Sequence, residues 1–442
     1  MKSNPQRILI SILAISVLFR VLAALFLGDT VEDLPGTNDQ ISYHALALRL
    51  LDGYGFTFGK PWWPLTAENA PTAHWSYLYT FFLTGVYGLF GIHPVIPRLI
   101  QAILVGTLHP YLVYRLGSRV FNPRVGQLAA ALTAFYAYFI YYAGTLMTEP
   151  FYITAILGAL NLAIDWVAPQ TDTDRRIPLL PRSLALGLVL GTAILLRQLF
   201  LLMVPFLFLW IWWAKRERGA GSAIPGLVLS VLVIGVMILP FTLYNYSRFG
   251  RFVLLNTNAG YAFYWGNHPI YGRRFIPILQ EEMGSYQSLV PVELRGLDEA
   301  ALDQELLRRG LGFVTSDPWR YTLLSLSRIP AYFMFWPSEE SGLISNLSRV
   351  GSFGLLLPLM AYGLLRSLYI KPRPFRYYLG SPLFLLHLFI LVYTGIHILS
   401  WALIRYRLPV DAILVIFAGF AVGYIFARNV RLEQPGRLQA SL

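Results

Sequence analysis

The sequence predicts an all-α, polytopic integral membrane protein with about ten transmembrane helices. Of its 442 residues, 56% are hydrophobic and 13% are charged, whereas a soluble domain carries about 25% charged residues. Several apolar runs reach the roughly 20 residues that a helix needs to cross a bilayer. The basic residues gather in short loops, a pattern typical of the cytoplasmic side of membrane proteins.

The net charge and the cysteine content exclude other classes of protein. The formal net charge is +12, and the chain contains no cysteine. Retention of Lys and Arg in cytoplasmic loops explains the positive charge without a nucleic-acid partner. Without cysteine, the chain has no disulfide, no thiolate nucleophile and no thiolate ligand for a metal.

The apolar runs place the expected transmembrane helices. Clear candidates are 8–28, 95–120, 125–147, 150–167, 223–247, 350–369, 379–400 and 408–427. The stretch 183–214 is long enough for two short helices with a hinge near Arg197 and Gln198. The first run follows a basic start, contains Arg20 and lacks a clean A-x-A site, so we expect a retained helix instead of a cleaved signal peptide.

Two shorter aromatic segments, 75–91 and 321–337, are ambiguous by length. If 75–91 crossed the membrane, the basic loops RLGSRVFNPRVG and KRERG would lie outside, against the positive-inside rule. We therefore expect both segments to lie along the interface, where Tyr, Trp and Phe are enriched. Both termini are then cytoplasmic, and the outer face receives a first loop, 29–94, and a long loop, 248–349.

The stretch LPGTNDQISYHALALRLLDGYGF places an acidic residue at the start of a helical pattern. Asp39, Tyr43 and Leu46 fall at helical spacing, and two glycines end the element. Asp39 is therefore expected near the N-terminus of a short helix at the membrane surface. The alternative is a structural role, in which Asn38 or Asp39 caps that helix.

A second carboxylate, Glu149 in GTLMTEPFY, lies at the outer junction of two almost uncharged helices. An ionisable side chain at such a depth is costly and indicates a functional role. The alternative is a carboxylate that precedes Pro150 at a helix N-terminus, where the helix dipole favours it.

Three arginines share the outer face with these carboxylates. Arg405 and Arg407, in WALIRYRLPV, lie at the outer end of a span, and Arg197 lies at the tip of the hairpin. A guanidinium presents a planar fork of donors that suits phosphate, although each arginine alone could snorkel to lipid headgroups. Together, these groups favour transfer from a lipid-linked phosphate donor to a hydroxyl, in which a carboxylate removes the proton and arginines stabilise the leaving phosphate.

Four motifs carry a resemblance to a known family. They are DQISY, FNPRVGQLAAALTAFYAYFIYYAGTLMTEPFY, YNYSRFGRFVLLNTNAGYAFYWGNHP and RYRLPVDAILVIFAGF. These motifs resemble those of the GT-C membrane glycosyltransferases, most closely glycosyltransferase family 39 and its relatives. The relatives include protein O-mannosyltransferases and the lipid A aminoarabinose transferase. The resemblance runs over most of the chain and keeps the order of the elements.

The resemblance implies a GT-C fold, with interfacial helices that border a donor groove, and it implies roles for several residues. Asp39 matches the catalytic base, and Glu149 matches a second acidic residue near the sugar. Arg405 and Arg407 match the arginines that contact the donor phosphate. Gln40 stands where many relatives have a glutamate, so this chain lacks one carboxylate of the pattern.

Two further residues are predicted to contact the donor phosphate. Relatives often have a basic residue before the second interfacial helix, and His74 in APTAHWSYLY occupies that place. The alternative for His74 is an interface residue satisfied by water. Arg197 is grouped with it because its guanidinium reaches the same face.

Substrate contacts are predicted in two places. They are Tyr43 and His44 beside Asp39, and Asn267 and His268 in GNHP, because the equivalent loop of relatives lies over the active site. His44, His268 and Glu149 could in principle meet at a metal ion, but the chain shows no HExxH-type spacing. We therefore expect no metal and no other cofactor.

The sequence thus predicts an inverting transferase that passes a hexosyl or pentosyl group from a polyprenyl-phosphate sugar to a lipid, glycan or protein hydroxyl. The site would face the outside of an inner or plasma membrane. The expected units are a catalytic transmembrane module, 1–247, the long outer loop, 248–349, and C-terminal transmembrane helices, 350–442. The alternatives are a transporter or flippase of lipid-linked sugars and a glycan ligase or polymerase of the same superfamily. A transporter is disfavoured because no internal repeat is evident and the ionisable residues gather at one interface.

Overall fold

The computed structural model describes residues 5–168, 179–219, 221–338, 341–370 and 374–426. Its α-helices are α1 (Pro5–Leu27), α2 (Asp39–Leu51), α3 (Tyr77–Phe90), α4 (Val95–Val120), α5 (Pro123–Phe135), α6 (Ala137–Gly144), α7 (Glu149–Val167), α8 (Leu179–Leu196), α9 (Val204–Glu217), α10 (Ile224–Phe249), α11 (Ala259–Asn267), α12 (Glu299–Ser316), α13 (Pro318–Tyr332), α14 (Leu343–Ser348), α15 (Leu355–Ser367), α16 (Phe375–Leu379), α17 (Pro382–Leu399) and α18 (Ile404–Phe426). Short 3-10 turns lie at Gln198–Leu202, Pro269–Tyr271, Glu281–Met283 and Val292–Leu294, and a π-helical turn lies at Arg349–Gly354. The all-α prediction is confirmed.

Within these described ranges, eight helices are long and apolar enough to cross a membrane. They are Pro5–Leu27, Val95–Val120, Glu149–Val167, Gln198–Glu217, Ile224–Phe249, Leu343–Ser367, Pro382–Leu399 and Ile404–Ile425. These correspond to all but two of the spans that the sequence predicts. The exceptions are 125–147, which forms two helices, and the first half of the hairpin, where Leu180–Leu196 is a shorter apolar helix. The chain is a multi-pass membrane protein.

Two helices, α3 and α13, are short. They contain 14 and 15 residues, which at a rise of 1.5 Å per residue give lengths of about 21 and 23 Å. The hydrocarbon core of a bilayer is about 30 Å thick. A straight helix of either length is too short to cross the hydrocarbon core. The prediction that segments 75–91 and 321–337 lie along the interface requires such short helices.

The helix expected over 125–147 is interrupted at Tyr136, whose backbone is extended, with ψ 112°. The interruption frees the carbonyl of Thr133, which the residue four positions further on would bond in a continuous helix. Arg20 Nη2, from α1, donates to this carbonyl at 3.2 Å. The Tyr136 hydroxyl donates to Asp411 Oδ2 of α18 at 2.7 Å. The break is thus held by polar side chains of two neighbouring helices.

The centre of the bundle is α18, where every residue from 407 to 421 is buried. Arg407 donates from Nε to Asp411 Oδ1 at 2.9 Å and from Nη1 to the carbonyl of Tyr332 at 2.7 Å. Against the same helix lies Gly363 of α15, where a Cβ atom would lie 2.0 Å from the carbonyl oxygen of Phe417. Only glycine permits α15 and α18 to approach so closely.

The long loop, 248–349, packs over the first loop, 29–94, through α12. One stripe of α12 is buried and contains Glu299, Leu302, Asp303, Leu306 and Gly310. Its two leucines pack with Tyr261, Tyr264 and Trp265 of α11. Two carboxylates therefore lie on the apolar stripe of an amphipathic helix, and both accept hydrogen bonds from other segments.

Asp303 caps the N-terminus of α11. Its Oδ1 accepts from the backbone amides of Gly260 at 2.8 Å and Tyr261 at 3.2 Å. Burial raises the pKa of Asp303 from 3.8 to about 7, against the lowering effect of the two amides and with a further raising effect from Glu299. The folded chain therefore holds a proton on Asp303 over a range of pH in which the unfolded chain has released it.

Asp303→Asn is expected to stabilise the protein at neutral and higher pH. Since the pKa is raised by folding, the contribution of Asp303 to stability is present at low pH and is lost as pH rises toward about 7. This loss reaches about 1.4 kcal/mol per pH unit at most. Asparagine keeps the accepting oxygen without the charge. Thermal unfolding of the purified protein between pH 4 and pH 8 should therefore show a flatter profile for the variant.

The control for this measurement is Glu282→Gln, which changes an exposed carboxylate of the same loop. It should leave the pH profile of unfolding unchanged. If Asp303→Asn leaves the profile as steep as that of the wild type, Asp303 does not titrate in this range.

Candidate active site

The first candidate carboxylate lies at the start of α2. The helix begins at Asp39, and the preceding Asn38 makes no side-chain capping hydrogen bond. Asn38 Nδ2 instead donates to Asp33 Oδ2 at 3.0 Å. Asp39 Oδ2 accepts from Arg405 Nη1 at 2.8 Å. The Asp39 carboxylate thus binds a guanidinium of α18 and does not cap its own helix.

The second candidate carboxylate, Glu149, begins α7 and is buried, with 2% of its side chain exposed. Arg197 Nη2 donates to Glu149 Oε1, and Arg197 Nε donates to Thr148 Oγ1 at 3.1 Å. The Thr148 hydroxyl donates to Glu149 Oε2 at 3.4 Å. Arg197 reaches this position because the chain is extended there, between α8 and the 3-10 turn. The hinge lies where the sequence predicts it.

The two ion pairs meet at one aromatic ring, that of Tyr406. Its centroid lies 5.4 Å from Cζ of Arg197 and 5.2 Å from Cζ of Arg405. Asp39, Glu149, Arg197 and Arg405 therefore form a single group, which we call the arginine–carboxylate cluster. Its formal charges cancel. The structure brings together four residues that the sequence predicts for one face.

The cluster retains unused donors and acceptors. Glu149 has both oxygens engaged, whereas Asp39 Oδ1 accepts from no described residue and 24% of the Asp39 side chain is exposed. Arg405 Nε is buried and has no hydrogen-bond partner among the described residues. The accessible carboxylate is thus Asp39, and Arg405 can donate further hydrogen bonds.

Arg407 and Gln40 lie outside the cluster. Arg407 is fully buried in the bundle, where Asp411 pairs with it, so the structure separates it from Arg405. Gln40 is also buried and donates from Nε2 to the carbonyl of Glu32 at 2.6 Å, while its Oε1 accepts from Arg98 at 3.3 Å. Gln40 therefore connects the start of α2 to neighbouring segments.

His74 lies close to the cluster, but its charge state differs from that of a phosphate-binding cation. His74 Nδ1 lies 3.2 Å from the carbonyl of Thr257, and since a carbonyl can only accept, Nδ1 carries the proton. Burial lowers the pKa of His74 below its ordinary value of 6.5, against the raising effects of Glu299 and Asp39. His74 is therefore neutral at pH 7.

The other predicted substrate contacts are engaged in packing. Tyr43 is buried, with its ring 5.0 Å from that of Tyr79, and His44 Nδ1 forms a 2.9 Å hydrogen bond with the Tyr87 hydroxyl. Asn267 Oδ1 accepts from Arg328 at 2.8 Å. No contact of Asn267 with the cluster is seen in the described part of the chain.

His268 belongs to the same packed loop and is also uncharged at neutral pH. Its ring contacts those of Tyr264 and Phe313. Burial, together with the nearby Arg320, lowers the pKa of His268 to about 4. Among the residues that the structure describes, no group of three or more His, Asp or Glu side chains is arranged to hold a metal ion. His44, His268 and Glu149 thus do not come together as a metal site in the described part of the chain.

A polar tripeptide, residues 256–258, was not singled out from the sequence. We call it the polar hub. Asn256 exchanges two 3.0 Å hydrogen bonds with the side chain of Gln198, which follows Arg197. Asn256 Nδ2 also donates to the carbonyls of Ala73 and Trp75, at 2.9 and 2.8 Å. The hub therefore joins the hinge of Arg197 to the loop of His74. Its signal in the sequence is three polar residues, NTN, between apolar runs.

Glu299 was missed as well. It accepts from Thr66 Oγ1 and from the backbone amide of Ala73, both at 2.8 Å, and from Thr257 Oγ1. It has no ion pair with Lys or Arg among the described residues. The sequence indicates Glu299 only by its helical spacing with the leucines of α12.

An apolar groove of about 420 Å³ lies beside the cluster, between α3, α4, α7 and α8. It is lined by Leu78, Tyr79, Phe82, Leu108, Leu112, Phe151, Thr154, Ala155, Gly158, Val189, Thr192 and Leu196. Two lining residues are chain neighbours of the cluster, since Leu196 precedes Arg197 and Phe151 follows Glu149 by two residues. From Leu196 to Val189 the groove follows about 10 Å of α8.

Comparison with known proteins identifies the fold. No protein-family model matches the sequence, and no curated protein matches it. Solved structures do, and they show that the chain has the GT-C fold. The prediction of this fold is confirmed.

Three of these structures illustrate the similarity in fold. The apo oligosaccharyltransferase of Archaeoglobus fulgidus matches with a TM-score of 0.61 and 17% identity, over 100% of this chain and 52% of that chain. The structure of AglB from Archaeoglobus fulgidus with an inhibitory peptide and a dolichol-phosphate has a TM-score of 0.59, at 17% identity and the same coverage. Apo ArnT from Cupriavidus metallidurans has a TM-score of 0.51 and 14% identity, over 93% of this chain and 59% of that chain. The chain thus spans little more than half the length of these proteins.

Proposed function

We propose that the protein is a membrane glycosyltransferase that passes a sugar from a polyprenyl-phosphate donor to a hydroxyl acceptor on the outer face of the membrane. The observation that carries this proposal is the arginine–carboxylate cluster. Arg405 has an unused donor, and Asp39 has a free oxygen on a partly exposed carboxylate. The cluster thus places a guanidinium that can bind phosphate beside a carboxylate that can accept a proton.

The reaction uses these groups in one displacement. The acceptor oxygen attacks the anomeric carbon, the bond from that carbon to the phosphate oxygen breaks, and the configuration inverts. The proton of the acceptor hydroxyl moves to Asp39 Oδ1. Arg197 and Arg405 stabilise the negative charge that grows on the departing polyprenyl phosphate. Glu149 acts as a positioning residue, because both of its oxygens are committed to Arg197 and Thr148.

The apolar groove supports a lipid-linked donor. Its lining is almost entirely hydrophobic, and it includes Leu196, the residue before the arginine of the hinge. A phosphate at the cluster would let an isoprenoid chain extend along the groove, where burial of each methylene contributes about 0.8 kcal/mol. The solved AglB structure contains a dolichol-phosphate, a ligand of the same chemical class.

The distribution of basic residues supports an outer location for the site. The cluster lies at the start of α7, and the other end of this helix meets basic residues. Arg218 donates to the carbonyl of Val167 there, and two arginines of α4 pair with Asp165. Positive charge marks the cytoplasmic end of membrane proteins. The cluster is at the opposite end of the same helix.

The test is consumption of labelled polyprenyl-phosphate sugars by the protein in proteoliposomes. We expect at least one donor to release its sugar to an acceptor. Arg405→Gln should reduce this turnover by about 100-fold or more, whereas Arg248→Gln, at the end of α10 outside the cluster, should not. Movement of intact donor across the bilayer without release of sugar would contradict the proposal and support a transporter.

A further inference from the structure

We propose that His74, Trp75 and Tyr261 form a subsite for a hydroxyl group of the acceptor, with His74 Nε2 as the atom that accepts the hydrogen bond. The identity of the ligand as an acceptor rests on the proposed function. Its chemical class and its place rest on the three side chains.

The tautomer of His74 is fixed by the polar hub. Nδ1 donates to the carbonyl of Thr257, so the neutral ring presents a lone pair at Nε2. No described residue forms a hydrogen bond with Nε2. The side chain is partly exposed. The hydrogen bond to Thr257 thus fixes the ring of His74 and leaves Nε2 as an unused acceptor.

The two rings that contact His74 also carry unused polar atoms. The ring centroids of Trp75 and Tyr261 lie 5.2 and 5.5 Å from that of His74. Trp75 Nε1 and Tyr261 Oη are buried and have no hydrogen-bond partner among the described residues. Buried polar atoms are nearly always paired in native structures. Two buried unpaired atoms therefore lie on the rings that flank the free Nε2 of His74, and we infer that together they suit a ligand with more than one hydroxyl.

The charges around His74 favour a hydroxyl over a phosphate. The acidic groups that act on the His74 ring are the carboxylates of Glu299, from α12, and Asp39, from α2. The two carboxylates disfavour a phosphate beside His74, whereas the neutral imidazole can accept from a neutral hydroxyl. Tyr43, one turn after Asp39, contacts the ring of Trp75 with centroids 5.6 Å apart. The subsite therefore lies beside the proposed base.

Two substitutions separate this role from simple packing. In His74→Asn, the amide can still donate to Thr257, but nothing replaces Nε2. In His74→Gln, the amide reaches the position of Nε2 instead. We expect Asn to raise the KM for the acceptor by about tenfold, the value of one hydrogen bond, with donor affinity unchanged. Gln should recover part of this loss, and Tyr261→Phe should also raise the acceptor KM.

His93→Asn serves as the matched control, because His93 is exposed and pairs with Asp29 away from the subsite. It should leave both KM values unchanged. If His74→Asn weakens donor binding and spares the acceptor KM, His74 is a phosphate contact and the inference is overturned. Full activity in His74→Asn would also overturn it.

A second measurement does not depend on sugar transfer. In protein labelled with ¹⁵N-histidine, the resting His74 should be the tautomer protonated at Nδ1. Titration with a methyl glycoside as a hydroxyl probe should shift the Nε2 resonance saturably and leave His93 unmoved. An Nε2-protonated ring, or no shift, would exclude the subsite. If the wild type transfers no sugar but the shift occurs, the proposed function fails while the hydroxyl subsite stands.

Discussion

Asp39→Asn is expected to remove nearly all sugar transfer, by about 10²–10⁴-fold, which is the usual contribution of a general base. The amide oxygen can still accept from Arg405, so the local structure should persist, but it cannot take a proton. Because the amide competes less for the guanidinium, donor binding should be as tight as in the wild type or tighter. Turnover and equilibrium binding of the same labelled donor, measured in the same proteoliposomes, check both points.

Asp52→Asn is the matched control, since it changes the same residue type at the other end of the same helix, where the side chain is exposed. It should retain wild-type turnover. Equal turnover by both variants would show that Asp39 has only a structural role. Loss of donor binding in Asp39→Asn would show that the substitution disrupts the donor site instead of the proton transfer.

Arg197→Gln is expected to affect both stability and activity. The substitution leaves the buried Glu149 without its cation, and an unpaired buried charge costs about 3–5 kcal/mol. It also removes a donor for the phosphate. We therefore expect a lower unfolding temperature and loss of donor binding, measured on the purified protein by thermal unfolding and by titration with polyprenyl phosphate.

The double variant Glu149→Gln/Arg197→Gln distinguishes the two effects. With both charges removed, two neutral amides can bond each other, and the unfolding temperature should return toward that of the wild type. Donor binding should remain lost. Recovery of donor binding in the double variant would restrict Arg197 to a structural role as the partner of Glu149.

Much of the fold follows from hydrophobic length and charge. Most of the spans, the start of α2 and the hinge at Arg197 could be read from the sequence, because each depends on local composition. The residues of the cluster come from distant parts of the chain. The sequence could place them on one face, because each lies at an end of a helix. The basic loops then indicate which helix ends share a side of the membrane.

The separation of Arg405 from Arg407 could not be read in the same way. The sequence predicts a span over 408–427, which leaves both arginines in a loop before it. The helix in fact begins at Ile404, so residues two positions apart point about 200° from each other. Arg405 therefore pairs with Asp39 in the cluster, whereas Arg407 pairs with Asp411 inside the bundle.

Contacts between the loops 29–94 and 248–349 could not be predicted from the sequence either. The bonds of Glu299 to the first outer loop join positions more than 200 residues apart, and no periodic pattern marks such pairs. The interruption at Tyr136 depends on Arg20 and Asp411, which belong to other helices. Local propensity carries no information on these partners.

The polar hub makes two distant parts of the chain behave as one mechanical unit. Through Gln198 it holds the backbone that follows Arg197, and through the carbonyls of Ala73 and Trp75 it holds the backbone on either side of His74. The hinge and the loop are therefore connected directly through Asn256. The position of Arg197 relative to His74 is thus tied to four hydrogen bonds of a single residue, Asn256.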